Sequence, residues 1–327
     1  MEHYVAHAHD RSIVGNIYLG KVHTVLPGME AAFIDIGEER NAVLYAGEVV
    51  FDEEVDGEIP RIETVLKSGQ PIMAQVTRDP MGSKGARLTT EISLPGRYLV
   101  LVPEAESLGI SRRLPDVERK RLRDIATVLR PNGYGLIVRT AAHGAGETEL
   151  RRDIDLLLDN WQGIYQKGRR VKPPQTIYSE PELIIRVVRD LFTREVGKMI
   201  VDDRSIHESV RSYIGETAPD LAELVEFYED TLPLFERFHV SEQIRKALDR
   251  KVWLPSGGHI VIDRTEAMTV IDVNTGRYVG KSTLEETVLK NNVEAAKEIA
   301  KQLRLRDIGG IIVIDFIDMI KAENRSE

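Results

Sequence analysis

Short apolar stretches separated by turn-forming residues dominate the first third of the chain. Five of them lie between residues 13 and 93: IVGNIYLGKVHTV, MEAAFIDI, NAVLYA, QPIMAQVTRD and ARLTTEIS. The segments between them include PG, GEER and PMGSKG. Five short strands in about 80 residues with such turns predict a small barrel of the OB type. Barrels of this kind bind single-stranded nucleic acid or act only as scaffolds, and the pattern leaves both interpretations open.

The middle of the chain has mixed strand and helix periodicity. RYLVLVP is followed by a helix that begins at Pro115 and then by the strand YGLIVRT. A long helix is predicted next, because apolar residues recur there at helical spacing and should lie in the core. These residues are Leu150, Ile154, Leu157, Leu158, Trp161 and Tyr165. The proline-containing stretch KGRRVKPPQTIYSEP is the clearest candidate for a linker.

The last third is predicted to form an α/β layer. Helical and short strand patterns alternate to about Leu248, and KVWLPSG, GHIVIDRT and AMTVIDVN then have strand patterns. A helix is predicted over residues 283–303, and GGIIVIDF is the last strand. We expect the strands AMTVIDVN and GGIIVIDF to be buried, because their apolar runs do not alternate with polar residues.

Composition narrows the class of protein. A chain of 327 residues with 42% hydrophobic content is long enough for two or more folded domains. It has no apolar run of the roughly 18 residues that span a bilayer, and its start, MEHYVAHAHDRS, does not resemble a signal peptide. Zero cysteines exclude disulfides, thiolate nucleophiles and cysteine-ligated zinc. We therefore expect a cytoplasmic protein.

The net charge of −9 argues mildly against nucleic-acid binding, but the charge is unevenly distributed. Residues 107–125 carry six Arg or Lys against three Asp or Glu, whereas residues 216–236 carry seven acids and no base. One face can therefore still attract RNA. The alternative, that the basic stretch is only the solvated side of a helix, is equally compatible with the charges.

Two aspartates stand at the carboxyl ends of apolar runs. Asp272 lies in TVIDVN and Asp315 in IVIDF. Ionised carboxylates are costly to bury unpaired, so two of them on adjacent strands would favour a shared hard cation, Mg²⁺ or Mn²⁺. Asn274 points to the same side of the strand as Asp272 and could donate a hydrogen bond to a phosphate oxygen. An ordinary role as strand-end or cap residues is the alternative.

A second motif in the same region suggests a different chemistry. GRYVGKS, residues 276–282, resembles a phosphate-binding P-loop, and IIVIDF resembles the magnesium-binding strand that accompanies one. The spacing is wrong, because three residues separate the glycines where a P-loop has four. A nucleotide hydrolase is therefore a minor alternative. His3, His7 and His9 cluster near the N-terminus but form no recognised zinc motif.

Four longer motifs resemble the ribonuclease E/G family, in particular its actinobacterial or other Gram-positive members. They are GNIYLGKV, MEAAFIDIG, LPSGGHIVIDRTEAMTVIDVN and NNVEAAKEIAKQLRLRDIGGIIVIDFIDM, spread from about Val14 to Met319. The resemblance implies an α+β multidomain fold. Its implied parts are a ribonuclease H-like remnant (1–12), an S1-type OB barrel (13–94), a 5′-sensor module (95–180), a ribonuclease H-like domain (181–248) and a truncated DNase I-like catalytic domain (249–327).

The same resemblance implies a magnesium-dependent endoribonuclease that cleaves single-stranded, A/U-rich RNA and is stimulated by a 5′-monophosphate. The family acts in rRNA processing and mRNA degradation. Asp272 and Asp315 would be the metal ligands, and Asn274 would lie beside the scissile phosphate. Arg139 and Thr140 would grip the 5′-monophosphate, as a guanidinium fork and a hydroxyl suit such a group. The pocket for the terminal nucleotide would be shaped by Gly96, Val100 and Arg112.

In the barrel, the resemblance implies that Phe33 stacks on a base and that Lys84 holds the RNA backbone. The glycines flanking Lys84 in GSKGA would allow close approach. The family often has a second aromatic residue where this chain has Val43, so the resemblance does not supply the second stacking residue. Phe33 as a barrel core residue is the alternative that the residues alone favour.

The two ends of the chain differ from the family. Of the opening strands of the ribonuclease H-like part only EHYVAHA remains, and the family's zinc-sharing cysteine pair and small dimerising domain are absent from this chain. We therefore expect a fragment that folds and binds RNA weakly but cleaves poorly. It would be a homo-oligomer in the full-length protein and weaker or monomeric here, with RNA-degradation partners bound through regions absent here. An RNA-binding module with vestigial catalytic strands is the third alternative.

Overall fold

The computed structural model describes residues 3–5, 12–50, 61–82, 84–276 and 284–327. The chain divides into two compact units, residues 6–228 and residues 229–327 together with residues 1–5. No helix within these described ranges is long and apolar enough to cross a membrane. The predicted P-loop-like stretch, apart from Gly276, and the histidines His7 and His9 lie outside the described residues.

The first unit begins with a closed barrel. Its elements are β1 (Ile17–Leu26), β2 (Ala31–Asp35), β3 (Ala42–Tyr45), α1 (Ile62–Val65), β4 (Pro71–Arg78) and β5 (Arg87–Thr89). The strand order is β1-β2-β3-β5-β4, and β4 pairs back onto β1. Alternate side chains, including those of Ile34, Leu44 and Leu88, fill the interior. This closed five-stranded barrel is consistent with an S1-like OB fold and confirms the prediction from the strand pattern.

A second sheet and two helices follow. They are β6 (Leu94–Pro95), β7 (Leu99–Pro103), β8 (Leu108–Ile110), α2 (Asp116–Leu129), β9 (Tyr134–Val138) and α3 (Glu147–Arg170). The strand order is β6-β7-β9-β8. The apolar stripe of α3 joins Leu99, Leu101 and Leu136 of the sheet in one buried cluster. The same cluster includes Ile17 of the barrel, so the barrel and this sheet share a core.

Tyr165 is the one residue of the predicted apolar stripe of α3 that is exposed, so the prediction that it lies in the core is wrong. Its side chain is 44% exposed, whereas Ile164 is buried. Successive helical residues are about 100° apart around the axis, so only one of two neighbours can point inwards at this turn. The ring of Tyr165 instead lies at the edge of the buried stripe, with the Arg169 guanidinium 5.9 Å from its centroid.

The predicted linker is also wrong. α3 continues to Arg170, and β10 (Gln175–Tyr178) pairs antiparallel with β1 of the barrel. Ile177 of β10 is buried in the shared core. The prolines Pro173 and Pro174 therefore occupy only the short connection between a helix and a paired strand.

The remainder of the first unit is a small α/β layer. It contains α4 (Leu183–Leu191), β11 (Met199–Val201), α5 (Arg204–Thr217) and β12 (Val225–Phe227). β11 and β12 are parallel neighbours. Val188, Val210 and Ile214 form the centre of a separate apolar cluster. A buried ion pair joins Arg189 of α4 to Glu180, with 2.7 Å between Nη1 and Oε1.

The second unit is built on a four-stranded sheet. Its elements are α6 (Leu234–Arg237), α7 (Val240–Ala247), β13 (Lys251–Trp253), β14 (His259–Arg264), β15 (Met268–Asn274), α8 (Leu284–Leu305), β16 (Ile311–Asp315) and α9 (Ala322–Ser326). The order is β13-β14-β15-β16, and β15 and β16 are parallel. Helix α8 covers one face, where Ala295 and Ile299 join Ile260, Ile271 and Val273 in the core.

The expectation that the last two strands are both buried is wrong. In β15, Thr269, Ile271 and Val273 are buried, whereas Asp272 is exposed. β16 is the edge strand among the described residues, and Ile311 is 61% exposed. A run of β-branched residues indicates strand propensity, but how many faces are covered depends on the packing of other elements. The domain boundaries at residues 94, 180 and 248 stay predictions.

Candidate active site and RNA-binding surfaces

Asp272 and Asp315 lie side by side at the ends of two parallel strands. They are register partners across β15 and β16, and neighbouring strands are about 5 Å apart. Both side chains are exposed. Because Ile271 and Val273 face α8, the alternation of side chains puts Asp272 on the opposite, open face of the sheet. The sequence correctly indicated that these two residues come from adjacent strands.

Asn274 is part of the same group. Its Nδ2 donates a hydrogen bond to Oδ2 of Asp272 over 2.6 Å. Within the described residues neither Asp272 nor Asp315 has a cationic partner. Two uncompensated carboxylates on adjacent strands repel each other, so a divalent cation with oxygen ligands would be favoured between them.

The described residues supply few ligands for such a cation. No group of three or more His, Cys, Asp or Glu residues in the described ranges is arranged to hold a metal ion. Mg²⁺ commonly keeps several waters and binds proteins through one or two carboxylates. The pair Asp272 and Asp315 therefore fits Mg²⁺ better than it fits a metal that requires a full cage of protein ligands.

The side-chain amides of two neighbouring asparagines of α8 contact the backbone just beyond Asp272 and Asp315. Asn292 donates from Nδ2 to the carbonyl of Ile317 over 2.8 Å, and its Oδ1 accepts from the Ile317 N–H over 3.2 Å. Asn291 lies 3.5 Å from the carbonyl of Asn274. Both side chains are buried. They thus fix the segments that begin two residues after Asp272 and Asp315, a role that sequence reasoning did not identify.

The outer surface of the barrel carries Phe33. Its neighbours in β2, Ala32 and Ile34, belong to the barrel core, so the partly exposed Phe33 faces outwards. The core alternative for Phe33 is therefore wrong. Val43 is its cross-strand partner on β3. Two residues further along β3, on the same face, Tyr45 is 39% exposed and has the Arg87 guanidinium 5.0 Å from its ring centroid.

Tyr45 is thus an outward aromatic that sequence reasoning missed. The alternation of NAVLYA, with Val43 and Tyr45 on one face and Ala42 and Leu44 on the other, contained the signal. Val43 departs from the aromatic residue that the family often has at this one position. The described surface thus has aromatic side chains at diagonal positions of β2 and β3, with a cation over the ring of Tyr45.

Lys84 is exposed in a tight connection between β4 and β5. The backbone of Met81 and Lys84 pairs across it, and Arg40 donates a hydrogen bond to the carbonyl of Gly82. A side chain at Gly85 would place its Cβ 1.9 Å from the carbonyl oxygen of Asn41. The glycine at 85 is therefore required by packing within the barrel itself.

Arg139 is held by two partners. Its Nη1 donates to the carbonyl of Gly96 over 2.6 Å, and its Nη2 donates to Oδ1 of Asp190 over 2.7 Å. Its side chain is only 22% exposed. The two Arg139 contacts connect the strand end at residue 139 with the turn at Gly96 and with helix α4.

A buried carboxylate leaves no room for a side chain at residue 96. A Cβ at Gly96 would lie 2.6 Å from Oδ2 of Asp153. Asp153 of α3 accepts hydrogen bonds from the backbone N–H groups of Arg97, Tyr98 and Leu99, over 2.8 to 3.0 Å. Burial raises the pKa of Asp153, and these three N–H groups oppose the rise. No local sequence pattern indicated this contact between a helix and a distant turn.

The other residues of the predicted sensor lie on the same sheet. Val100 pairs across β7 and β9 with Ile137, which is 41% exposed. Thr140 Oγ1 and Ser111 Oγ are 2.8 Å apart, and Arg112 is exposed next to Ser111. The structure thus places these residues at one end of the sheet β6-β7-β9-β8.

Comparisons with known proteins agree with these features. The model of the ribonuclease E/G family matches residues 93–327. Ribonuclease G of Escherichia coli (strain K12) is 43% identical over 323 residues, which cover 96% of this chain and 66% of the relative. Ribonuclease E of Haemophilus influenzae is 43% identical over 318 residues, covering 95% of this chain and 34% of the relative. The chain belongs to the ribonuclease E/G family, and it spans about two thirds of the length of ribonuclease G.

Proposed function

We propose that the protein is an endoribonuclease that cleaves single-stranded RNA by hydrolysis, with Mg²⁺, or alternatively Mn²⁺, held by Asp272 and Asp315. The observation that carries this proposal is the register pairing of the two carboxylates on the open face of the sheet. Membership of the ribonuclease E/G family supports RNA as the substrate.

Each group of the site has a proposed task. A bound Mg²⁺ would supply a Lewis acid and lower the pKa of a coordinated water. Asn274 holds the Asp272 carboxylate through its Nδ2, and we assign to its second amide N–H a hydrogen bond to a phosphate oxygen of the RNA. Water adds to phosphorus and gives up a proton, the bond to the 3′ oxygen breaks and that oxygen takes up a proton, so the products carry a 5′-phosphate and a 3′-hydroxyl.

The barrel would select unpaired RNA. We assign base stacking to Phe33 and backbone binding to Lys84, and Tyr45 with Arg87 adds a second aromatic position. Stacking on a side chain requires a base whose face is free, which explains a preference for single strands. A preference for A/U-rich segments follows, since these pair weakly with other parts of a transcript.

The 5′ end of the substrate would be sensed at Arg139 and Thr140, in a pocket that also involves Gly96, Val100 and Arg112. The guanidinium of Arg139 already binds a carboxylate, that of Asp190, through one of its N–H groups. A 5′-monophosphate carries more charge than this carboxylate and offers more oxygen acceptors, so it competes well for the same donor. We further propose cytoplasmic roles in rRNA processing and mRNA degradation, in a homo-oligomeric full-length protein with RNA-degradation partners.

Arg139→Ala is expected to lower cleavage of 5′-monophosphorylated RNA by about tenfold to a hundredfold, the loss expected for a hydrogen bond to a charged group. Cleavage of the same RNA with a 5′-hydroxyl should change little. Initial rates on the two labelled oligonucleotides measure this ratio. Because Arg139 also binds Gly96 and Asp190, the melting temperature is measured in parallel, and equal losses on both substrates would assign the arginine to the fold.

Removal of the metal tests the proposed reaction. The full-length natural protein should cleave a labelled single-stranded oligonucleotide in millimolar Mg²⁺ and should lose this activity in excess EDTA, with recovery on adding Mg²⁺ back. The products should carry a 5′-phosphate, and the same sequence annealed to its complement should resist cleavage. Cleavage that persists in EDTA would contradict the proposal.

A further inference from the structure

Trp253 is the most exposed large aromatic ring of the second unit among the described residues. It is 61% exposed, whereas Trp161, the other tryptophan of the sequence, is buried. Trp253 ends β13, the strand at one edge of the sheet. A tryptophan left in water forgoes a large gain from burial, and such residues are frequent at binding sites.

The two neighbours of Trp253 hold its ring and add a positive charge. Lys251 Nζ lies 4.2 Å from the centroid of the indole, as in a cation–π contact. The ring of His259 lies 5.3 Å from the indole at an angle of 52°. Burial, and after it the charge of Lys251, lower the pKa of His259, which favours the uncharged imidazole beside the charged Lys251.

Trp253 shares a sheet face with the carboxylate pair. In the register, Trp253 pairs with His259 and His259 with Asn274. Lys251 pairs with Val261, and Val261 with Asp272. Residues paired across a sheet point to the same face, so Trp253 and Lys251 face the same side as Asp272. Two strand spacings, about 10 Å, separate β13 from β15, a gap that a short run of nucleotides spans.

We propose that Trp253 and Lys251 form a nucleotide subsite for single-stranded RNA, in which a base stacks on the indole and the ammonium group binds a neighbouring phosphate. This subsite rests on the proposed function, since its ligand is the RNA strand that continues into the carboxylate pair. It differs from the barrel and from the 5′ pocket, because it lies in the second unit.

The surroundings of Trp253 favour a nucleotide over an apolar protein partner. Its neighbours on this end of the face are Lys251, His259 and Asn274, all polar. Of the exposed apolar side chains on this face, Met268 and Ile311 lie at the opposite ends of their strands, and Val313 lies in the middle of β16, at the far edge of the sheet from Trp253. An isolated aromatic ring beside a cation suits a base and its phosphate, whereas protein interfaces need a wider apolar area.

The test combines affinity with tryptophan fluorescence, using an oligouridylate with a 5′-hydroxyl and no Mg²⁺, so that no cleavage occurs. Trp253→Ala is expected to weaken binding about tenfold, as for the loss of one stacked base. Trp253→Phe should keep most of the affinity but abolish the quenching of tryptophan fluorescence that the wild-type protein shows on binding.

Lys251→Ala should make binding less sensitive to salt. The slope of the logarithm of the binding constant against the logarithm of the salt concentration should fall by about one, as for the loss of one phosphate contact. Phe235→Ala, another exposed aromatic of this unit, is the matched control and should change nothing.

Wild-type affinity in Trp253→Ala, or quenching that persists in Trp253→Phe, overturns the subsite. Self-association that is lost in Trp253→Ala with unchanged RNA affinity also overturns it, in favour of a second copy as the occupant. If the wild-type protein cleaves RNA in Mg²⁺ while these variants behave like it, only the subsite fails. If the wild-type protein neither binds nor cleaves RNA, the proposed function fails with it.

Discussion

Asp272→Asn and Asp315→Asn should each reduce cleavage of single-stranded RNA by about 10²- to 10³-fold, the range for removing one group that stabilises developing charge. Asparagine keeps the size of the side chain and removes the negative charge that would hold the cation. Both aspartates are exposed at the ends of paired strands, so the fold should survive. Single-turnover rates at saturating protein measure the loss, and RNA affinity should change little.

Asp318→Asn is the matched control. Asp318 is an exposed aspartate three residues beyond Asp315 and has no register partner on β15. We expect its replacement to leave the rate within a few-fold of wild type. Unchanged cleavage in both Asp272→Asn and Asp315→Asn would remove these residues from the mechanism and favour an RNA-binding module with vestigial carboxylates.

Asp153→Ala should destabilise the first unit by about 3–5 kcal/mol. Three buried backbone N–H groups lose their common acceptor, and each unsatisfied buried donor costs about 1–3 kcal/mol. The loss is measured as the change in the free energy of unfolding from urea denaturation. Asp153→Asn keeps one carbonyl acceptor and should cost less than the alanine variant.

Asp155→Ala provides the comparison for Asp153. Asp155 lies on the same helix but is exposed, so its replacement should change the free energy of unfolding by no more than about 0.5 kcal/mol. Equal stability of Asp153→Ala and Asp155→Ala would mean that the buried carboxylate does not organise the turn at Gly96. The same turn holds Arg139, so Asp153→Ala should also weaken the dependence of cleavage on the 5′-monophosphate.

Periodicity in the sequence predicted the elements whose burial is set locally. The five barrel strands follow from alternating apolar residues between turns, and α3 follows from its apolar stripe. The adjacency of Asp272 and Asp315 followed from their places at the ends of strand-like runs. For the strands and the helix one stretch of sequence carries the whole signal, whereas the adjacency of the two aspartates combines two separate stretches.

The predictions that were wrong or missing concern contacts between distant parts of the chain. β10 was hidden within a proline-containing stretch, because its pairing partner β1 lies more than 140 residues earlier. The exposed edge of β16 depends on which elements cover the sheet. Asn292 and Asp153 bind backbone groups that no local pattern connects with them. Only the antiparallel register of β13, β14 and β15 shows that Trp253 and Asp272 share a face.

The most direct measurement of the central claim is Mn²⁺ binding, followed by electron paramagnetic resonance, to the wild-type protein and to the double variant Asp272→Asn/Asp315→Asn. The account predicts that the wild-type protein binds one Mn²⁺, which excess Mg²⁺ displaces. It also predicts that the double variant loses both this binding and RNA cleavage. Undiminished Mn²⁺ binding and cleavage in the double variant would contradict it.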